Sequence, residues 1–311
     1  MFKKNLNILN KMENRGVKFP DLRNAMLVST FFFLWLAVYF SQSVEEVLAF
    51  ILIFSFGILH GANDLEILRR RRTSRKSQKS NVKLLLAYVG FVLGSALVFS
   101  LLPLVALTFF ILFSAYHFGE QHWIKRMGRR NWLQKVLYTS YGLTILLLLF
   151  ASHGAQVTEV ILEITGYTVP QDWFTYGCLG FLGLFLISCF FNFYWSQLTR
   201  YLLRELFLLV VFYIVFNTAS LIWAFAIYFV VWHSIPSLVD QIRLLYGSVN
   251  WKNGSKYMRS SAVYWVGALV TLALAFLYFR ESSFGFMPLF FSFLAAITFP
   301  HVLVISRLYK Y

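Results

Sequence analysis

The chain has 311 residues, of which 59% are hydrophobic and only 13% are charged, and its formal net charge is +15. Soluble domains carry about 25% charged residues, so this composition argues against a soluble domain and indicates a membrane protein. The basic residues lie in short loops between apolar runs, where they orient a membrane protein instead of binding nucleic acid. We therefore exclude a nucleic-acid-binding function.

Apolar runs close to the length of a membrane-spanning helix, which is about 18 residues or more, recur along the chain. They predict an all-α, polytopic transmembrane helical bundle of about ten apolar segments, eight to ten of which span the membrane. The N-terminal segment 1–23 is basic and has no removable signal peptide, and 24–311 form a single transmembrane domain. The predicted segments are 24–42, 46–68, 84–102, 104–123, 136–152, 174–195, 205–218, 221–242, 260–279 and 287–306.

The distribution of charge predicts the orientation of these segments. If the ten segments alternate across the membrane, every Lys and Arg except Arg280 falls on one side. Cytoplasmic loops collect basic residues, so both termini are predicted to be cytoplasmic. The longest loop of the opposite side, 153–173, has an amphipathic centre that is predicted to rest on the membrane surface.

Four histidines lie at matched depth inside the predicted bundle, six to ten residues before a basic residue at a cytoplasmic helix end: His60, His117, His233 and His301. A rise of 1.5 Å per residue places them in one layer about 9 to 15 Å inside those ends. One buried histidine alone is more simply a hydrogen-bonded core residue. Four in one layer favour a metal site, because neutral imidazole binds iron, copper and zinc. His122 is assigned to the interface, and His153 falls on the opposite side.

Carboxylate and amide side chains follow two of these histidines. Asp64 comes four residues after His60, while Glu120 and Gln121 come three and four residues after His117. These spacings put each polar group on the same helical face as its histidine. Asp64 and Glu120 are therefore predicted to accept the second ring N–H of a ligand histidine. Pairing with the adjacent basic loops is the alternative.

The chain resembles the Brp/Blh family of membrane β-carotene 15,15'-dioxygenases in four motifs: LHGANDLEIL from Leu59, SAYHFGE from Ser114, YFVVWHSIPS from Tyr228 and FPHVLV from Phe299. The resemblance implies an Fe(2+) enzyme that splits the central double bond of β-carotene, or a related carotenoid, with O2 into two retinals. It implies a multi-pass protein of the bacterial inner membrane, embedded in lipid, whose product can serve a retinal-binding rhodopsin. It also implies that His60, His117 and His233 bind iron. His301 matches a proline-histidine pair near the C-terminal end of the family's sequences.

The chain departs from the family at Ser237: the family commonly has a second histidine four residues after the histidine of its WHS motif, and this chain has a serine there. Either His301 completes a four-histidine site, or water takes the place beside Ser237, or the metal is lost. Loss of the metal would leave a non-catalytic carotenoid- or retinal-binding protein. A proton-coupled transporter and a bis-histidine haem protein are further alternatives.

Aromatic residues next to the histidines are candidates for the substrate-lining surface. They are Tyr116, Tyr228, Trp232 and Phe299. Packing between helices is the alternative role for each ring.

Overall fold

A computed structural model describes residues 22–71, 78–126, 131–192, 195–281 and 285–308, so most of the predicted segment 1–23 lies outside the described residues. Within these ranges the chain is helical and contains no β-strand. Nine helices of this part of the chain are long and apolar enough to cross a membrane. The predicted all-α, polytopic helical bundle is confirmed.

The helices are, in chain order, α1 (Leu22–Tyr39), α2 (Gln42–Leu52), α3 (Asp64–Arg71), α4 (Gln78–Leu101), α5 (Pro103–Trp123), α6 (Trp132–Ser152), α7 (Gly154–Thr165), α8 (Asp172–Asn192), α9 (Trp195–Thr218), α10 (Leu221–Ala226), α11 (Ile235–Tyr246), α12 (Trp251–Phe279) and α13 (Phe286–Leu308). The described part of the chain also contains two π-helical turns. One follows α2 over Ile53–Gly57, and the other joins α10 to α11 over Ile227–Ser234.

The second predicted segment, 46–68, is not one continuous helix. After the π-helical turn the chain makes turns around His60, and α3 begins at Asp64. The carbonyl of His60 accepts a hydrogen bond from Gln241 Nε2 at 2.8 Å, and the Tyr257 hydroxyl oxygen lies 3.2 Å from the same carbonyl oxygen. Side chains of other helices thus satisfy a backbone group that the break has freed, as a membrane interior requires.

Helices α5 and α6 touch through their backbones at two glycines. A Cβ atom on Gly119 would lie 1.8 Å from the carbonyl oxygen of Tyr138, and one on Gly142 would lie 1.9 Å from that of Ala115. Both distances are far below van der Waals contact, so only glycine fits there. This small-residue packing brings α5 close to α6.

The amphipathic helix predicted in the loop 153–173 is α7. Its apolar face, formed by Val157, Ile161 and Ile164, is buried among side chains of α5, α8 and α13. Its other face carries Glu159 and Leu162, which are exposed. The apolar face therefore packs on the bundle and covers one end of it.

A buried carboxylate joins several helices at the predicted cytoplasmic end. Glu205 of α9 is fully buried and lies 3.2 Å from the Arg23 guanidinium and 2.8 Å from that of Arg126. The Tyr141 hydroxyl of α6 also donates a hydrogen bond to it at 2.6 Å. Through the single charge of Glu205, these contacts link α1, α6, α9 and the 3-10 turn Ile124–Arg126 that follows α5.

Candidate metal centre

The structure brings the four predicted histidines together in the interior of the bundle. The ring centroid of His60 lies 4.9 Å from that of His233 and 4.8 Å from that of His301. The ring centroid of His117 lies 4.9 Å and 5.4 Å from the same two rings. All four side chains are buried. Each imidazole thus lies close to two of the others, and the four together are called here the histidine cluster.

Three of the four histidines lie where the regular α-helix is interrupted. His60 lies at the break between α2 and α3, and His233 lies in the π-helical turn before α11. His301 follows Pro300 inside α13. π-Helical turns and intrahelical prolines both interrupt the regular ladder of backbone hydrogen bonds, and π-helical turns are frequent at functional sites. His117 lies in the regular helix α5.

Asp64 contacts His301, not His60 as the spacing predicted. Its Oδ1 and Oδ2 atoms lie 2.9 and 3.1 Å from His301 Nδ1, and the Tyr88 hydroxyl donates to Oδ2 at 2.9 Å. The four-residue spacing rule assumes a continuous helix. The chain is broken between His60 and Asp64, so the carboxylate turns towards α13.

Gln121 holds His233 at two points. Its Oε1 atom is hydrogen-bonded to His233 Nδ1, and its Nε2 atom donates to the His233 carbonyl at 3.0 Å. An amide oxygen can only accept a hydrogen bond, so this contact assigns the ring proton of His233 to Nδ1. Gln121 therefore orients a histidine of another helix, and not its own neighbour His117.

The chemistry of the cluster fits a bound metal ion. With Nδ1 of His233 and of His301 engaged as hydrogen-bond donors, each ring carries its lone pair on Nε2. His233 Nε2 lies 3.2 Å from His60 Nε2, and His301 Nε2 is buried with no hydrogen-bond partner among the described residues. One ring nitrogen from each of these three residues lies within 4.8 Å of the others. A cation is the group that satisfies several converging lone pairs.

His117 is the fourth member of the cluster, although its ring nitrogens fall outside the tightest group of three. Both nitrogens are buried, and neither has a hydrogen-bond partner within the described ranges. Its neighbour Glu120 accepts a hydrogen bond from the Tyr116 hydroxyl at 2.8 Å. The predicted role of Glu120 beside a ligand histidine stays a prediction.

Ser237 belongs to a buried hydrogen-bond network next to the cluster. Its hydroxyl oxygen accepts from Gln241 Nε2 at 3.0 Å, and the same Nε2 donates to the His60 carbonyl. The Tyr257 hydroxyl donates to Gln241 Oε1 at 2.8 Å. The serine thus helps to hold the backbone that carries His60.

The other two histidines lie outside the cluster. His122 Nδ1 lies 3.7 Å from the Glu205 carboxylate, towards the predicted cytoplasmic end. His153 lies between α6 and α7 at the other end of the bundle, where burial lowers its pKa below the usual value.

The four aromatic residues predicted to line the substrate lie behind the histidines and do not line the cavity described below. Tyr228 packs edge-on against Phe212, and Trp232 donates its Nε1–H to Thr30 Oγ1 at 2.9 Å. Tyr116 and Phe299 likewise contact other side chains. Neighbouring residues of a helix project in different directions, about 100° apart in a regular α-helix. Tyr116 and Trp232, which directly precede His117 and His233, therefore point away from the cavity.

A cavity of about 450 Å³ reaches all four histidines and has mostly apolar walls. Apart from the histidines, two groups of helices line it, and the parts of the cavity beside these groups are called here the inner arm and the outer arm. The inner arm leads towards α7 and is lined by Leu107, Phe110, Ile111, Leu146, Leu149, Phe150, Val157, Val160, Ile161, Ile164, Leu221 and Phe291. The outer arm leads between α4 and α12 and is lined by Leu85, Tyr88, Val89, Val92, Leu93, Val263, Tyr264, Gly267, Ala268 and Thr271.

Fold and site together define a protein of membrane-spanning helices with a buried histidine cluster that opens on an apolar cavity. A model of the family beta-carotene 15,15'-dioxygenase matches residues 51–309, and the chain belongs to this family. The matched range includes all four histidines and agrees with the resemblance seen in the sequence motifs. No curated relative and no solved structure matches the chain.

Proposed function

We propose that this chain is an Fe(2+)-dependent dioxygenase that splits the central double bond of β-carotene with O2 and releases two retinals. The observation that carries the proposal is the histidine cluster at the wall of an apolar cavity. A carotenoid is apolar and dissolves in the bilayer, so a cavity inside a membrane bundle suits it. We place the protein in the bacterial inner membrane and expect a retinal-binding rhodopsin to use its product.

The reaction balances without a further reactant. The carbon–carbon double bond is broken, one oxygen atom of O2 is joined to each of its two carbons, and two aldehydes result. Iron held by His60, His117, His233 and His301 would supply the binding and activation of O2. No proton has to be removed from the substrate, which explains why the site needs no acid–base pair.

The protein side chains position and protect this chemistry. Asp64 and Gln121 hold two of the imidazoles through Nδ1 and leave the lone pair on Nε2, which orients the ligand set before metal binds. Apolar side chains such as Phe229 and Ile297 line the cavity beside the cluster. They hold the polyene against the histidines and keep water away from the reacting carbons.

A non-catalytic carotenoid- or retinal-binding protein is the second candidate. It is favoured by Ser237, because this chain has one histidine fewer than the family pattern and the serine hydroxyl is engaged with Gln241. Such a protein would bind pigment stoichiometrically and leave it intact.

Purified protein loaded with iron distinguishes the two candidates. We expect bound iron and, under ¹⁸O2, two retinals that each carry the label before exchange with water. A His301→Ala variant should lose iron and cleavage, whereas His153→Ala, which removes a histidine outside the cluster, should keep both. Iron-loaded, folded protein that binds β-carotene and forms no aldehyde would refute the dioxygenase and support the binding protein.

A further inference from the structure

We propose that the inner arm of the cavity measures the substrate: its closed end under α7 determines which double bond lies at the histidine cluster. This inference rests on the proposed function, because it explains how a cleavage enzyme of this shape selects the central bond.

The depth of the inner arm follows from two helices that line it. On α5, Leu107 precedes His117 by ten residues, and on α13, Phe291 precedes His301 by ten residues. At a rise of 1.5 Å per residue, both pairs span roughly 15 Å. The arm is thus deep enough for a long stretch of an extended polyene, and comparable to one half of a C40 carotenoid.

Helix α7 closes the far end of the inner arm. Val157, Val160, Ile161 and Ile164 line the cavity there, and three of them are only 6 to 8% exposed. The outward-facing Leu162 is 41% exposed and does not line the cavity. A carotenoid ring that moves along the inner arm therefore stops against the apolar face of α7.

The outer arm, by contrast, opens sideways. Leu93 on α4 and Val263 on α12 line the cavity and are nevertheless 64% and 77% exposed. Both belong to helices long and apolar enough to span the membrane. The opening between α4 and α12 thus faces the hydrocarbon region, and a carotenoid can enter from the bilayer with one ring leading.

Because the inner arm is closed and the outer arm is open, the two ends of the substrate are held differently. A conjugated polyene is stiff, so its position along the cavity is determined once the leading ring reaches α7. The trailing half lies in the open outer arm, where no comparable wall restrains it. The leading end therefore defines the bond that is cleaved, and changes at the trailing ring are tolerated.

A shortened inner arm tests this inference. Val160→Phe places a larger side chain at the closed end, and Leu162→Phe makes a similar change on the outer face of α7 as the matched control. β-Carotene products are separated by chromatography, bound carotenoid is measured by absorbance, and folding is checked by thermal unfolding. We expect Leu162→Phe to give retinal alone, as the unsubstituted chain does.

For Val160→Phe we expect retinal to fall at least tenfold while carotenoid remains bound. Any residual cleavage should yield an unequal pair, one aldehyde shorter and one longer than retinal. Undiminished retinal as sole product would overturn the inference, and so would a folded variant that binds no carotenoid, because the outer arm is unchanged. If the unsubstituted chain itself forms no retinal, the proposed function fails and this inference fails with it.

Discussion

Among the single residues of the site, those that orient the imidazoles are expected to determine how tightly a metal ion binds. Asp64 and Gln121 each engage the Nδ1 atom of a histidine and leave the lone pair on its Nε2 atom. The Tyr88 hydroxyl in turn donates to Asp64. Partners of this kind fix the tautomer and raise the basicity of a metal-bound imidazole.

Replacing the carboxylate without changing its size should therefore weaken metal binding. We expect Asp64→Asn to lower the affinity for Fe(2+) or Co(2+) about 10- to 100-fold, because the amide carries no charge to stabilise the bound cation through His301. Competition with a chromogenic chelator measures this affinity. Glu66→Gln, two residues further along α3 and paired with Arg70, serves as the control; equal affinities in the two variants would contradict the role of Asp64.

Some features of the site residues are predictable from the sequence, and others are not. The layer of four histidines is predictable from the sequence. Basic loops locate the cytoplasmic ends of the helices, and the rise per residue gives the depth of each histidine below its helix end. The contact between Asp64 and His301 joins positions 237 residues apart, and no spacing rule reaches that far. Closeness to His233 in sequence predicts a substrate-lining role for Tyr228 and Trp232, but their side chains contact Phe212 and Thr30 and do not line the cavity.

At the scale of helices, the close contact between α5 and α6 holds His117 in place. Gly119 and Gly142 let the two backbones touch, and His117 lies two residues before the first of these glycines. The sequence predicted both helices. It did not predict this contact, since a glycine in a membrane helix has the same appearance whether or not a backbone lies against it.

A methyl group at this contact should destabilise the bundle. In Gly119→Ala the new Cβ would lie 1.8 Å from the Tyr138 carbonyl oxygen, so the helices must separate, at a cost of about 1 to 3 kcal/mol or more in the free energy of unfolding. Thermal unfolding in detergent measures the loss. Gly94→Ala is the control, because a Cβ there meets nothing within 4 Å; similar melting temperatures for both variants would contradict the packing argument.

At the scale of the whole molecule, the fully buried Glu205 connects segments that are distant in sequence. It accepts contacts from Arg23 and Arg126, whose side chains are 23% and 20% exposed. The apolar pattern predicted the bundle but gave no sign of this network. A glutamate near the end of a membrane helix is equally compatible with an exposed position.

Removal of this carboxylate should be costly because two arginines would lose their common partner. We expect Glu205→Ala to reduce the free energy of unfolding by about 3 kcal/mol. Asp240→Asn removes the partner of Lys125, a side chain that is 62% exposed, and should cost at most about 1 kcal/mol. Chemical unfolding of the two variants side by side makes the comparison, and an equal loss for both would count against a central role of Glu205.

The claim on which the whole account rests is that the histidine cluster cleaves β-carotene. The most direct measurement is retinal and β-carotene content, by chromatography, in carotene-producing bacteria that express this chain or its His233→Ala variant. We expect retinal with the unsubstituted chain and none with the variant at equal protein level. Intact β-carotene with both proteins, each inserted in the membrane and folded, would contradict it.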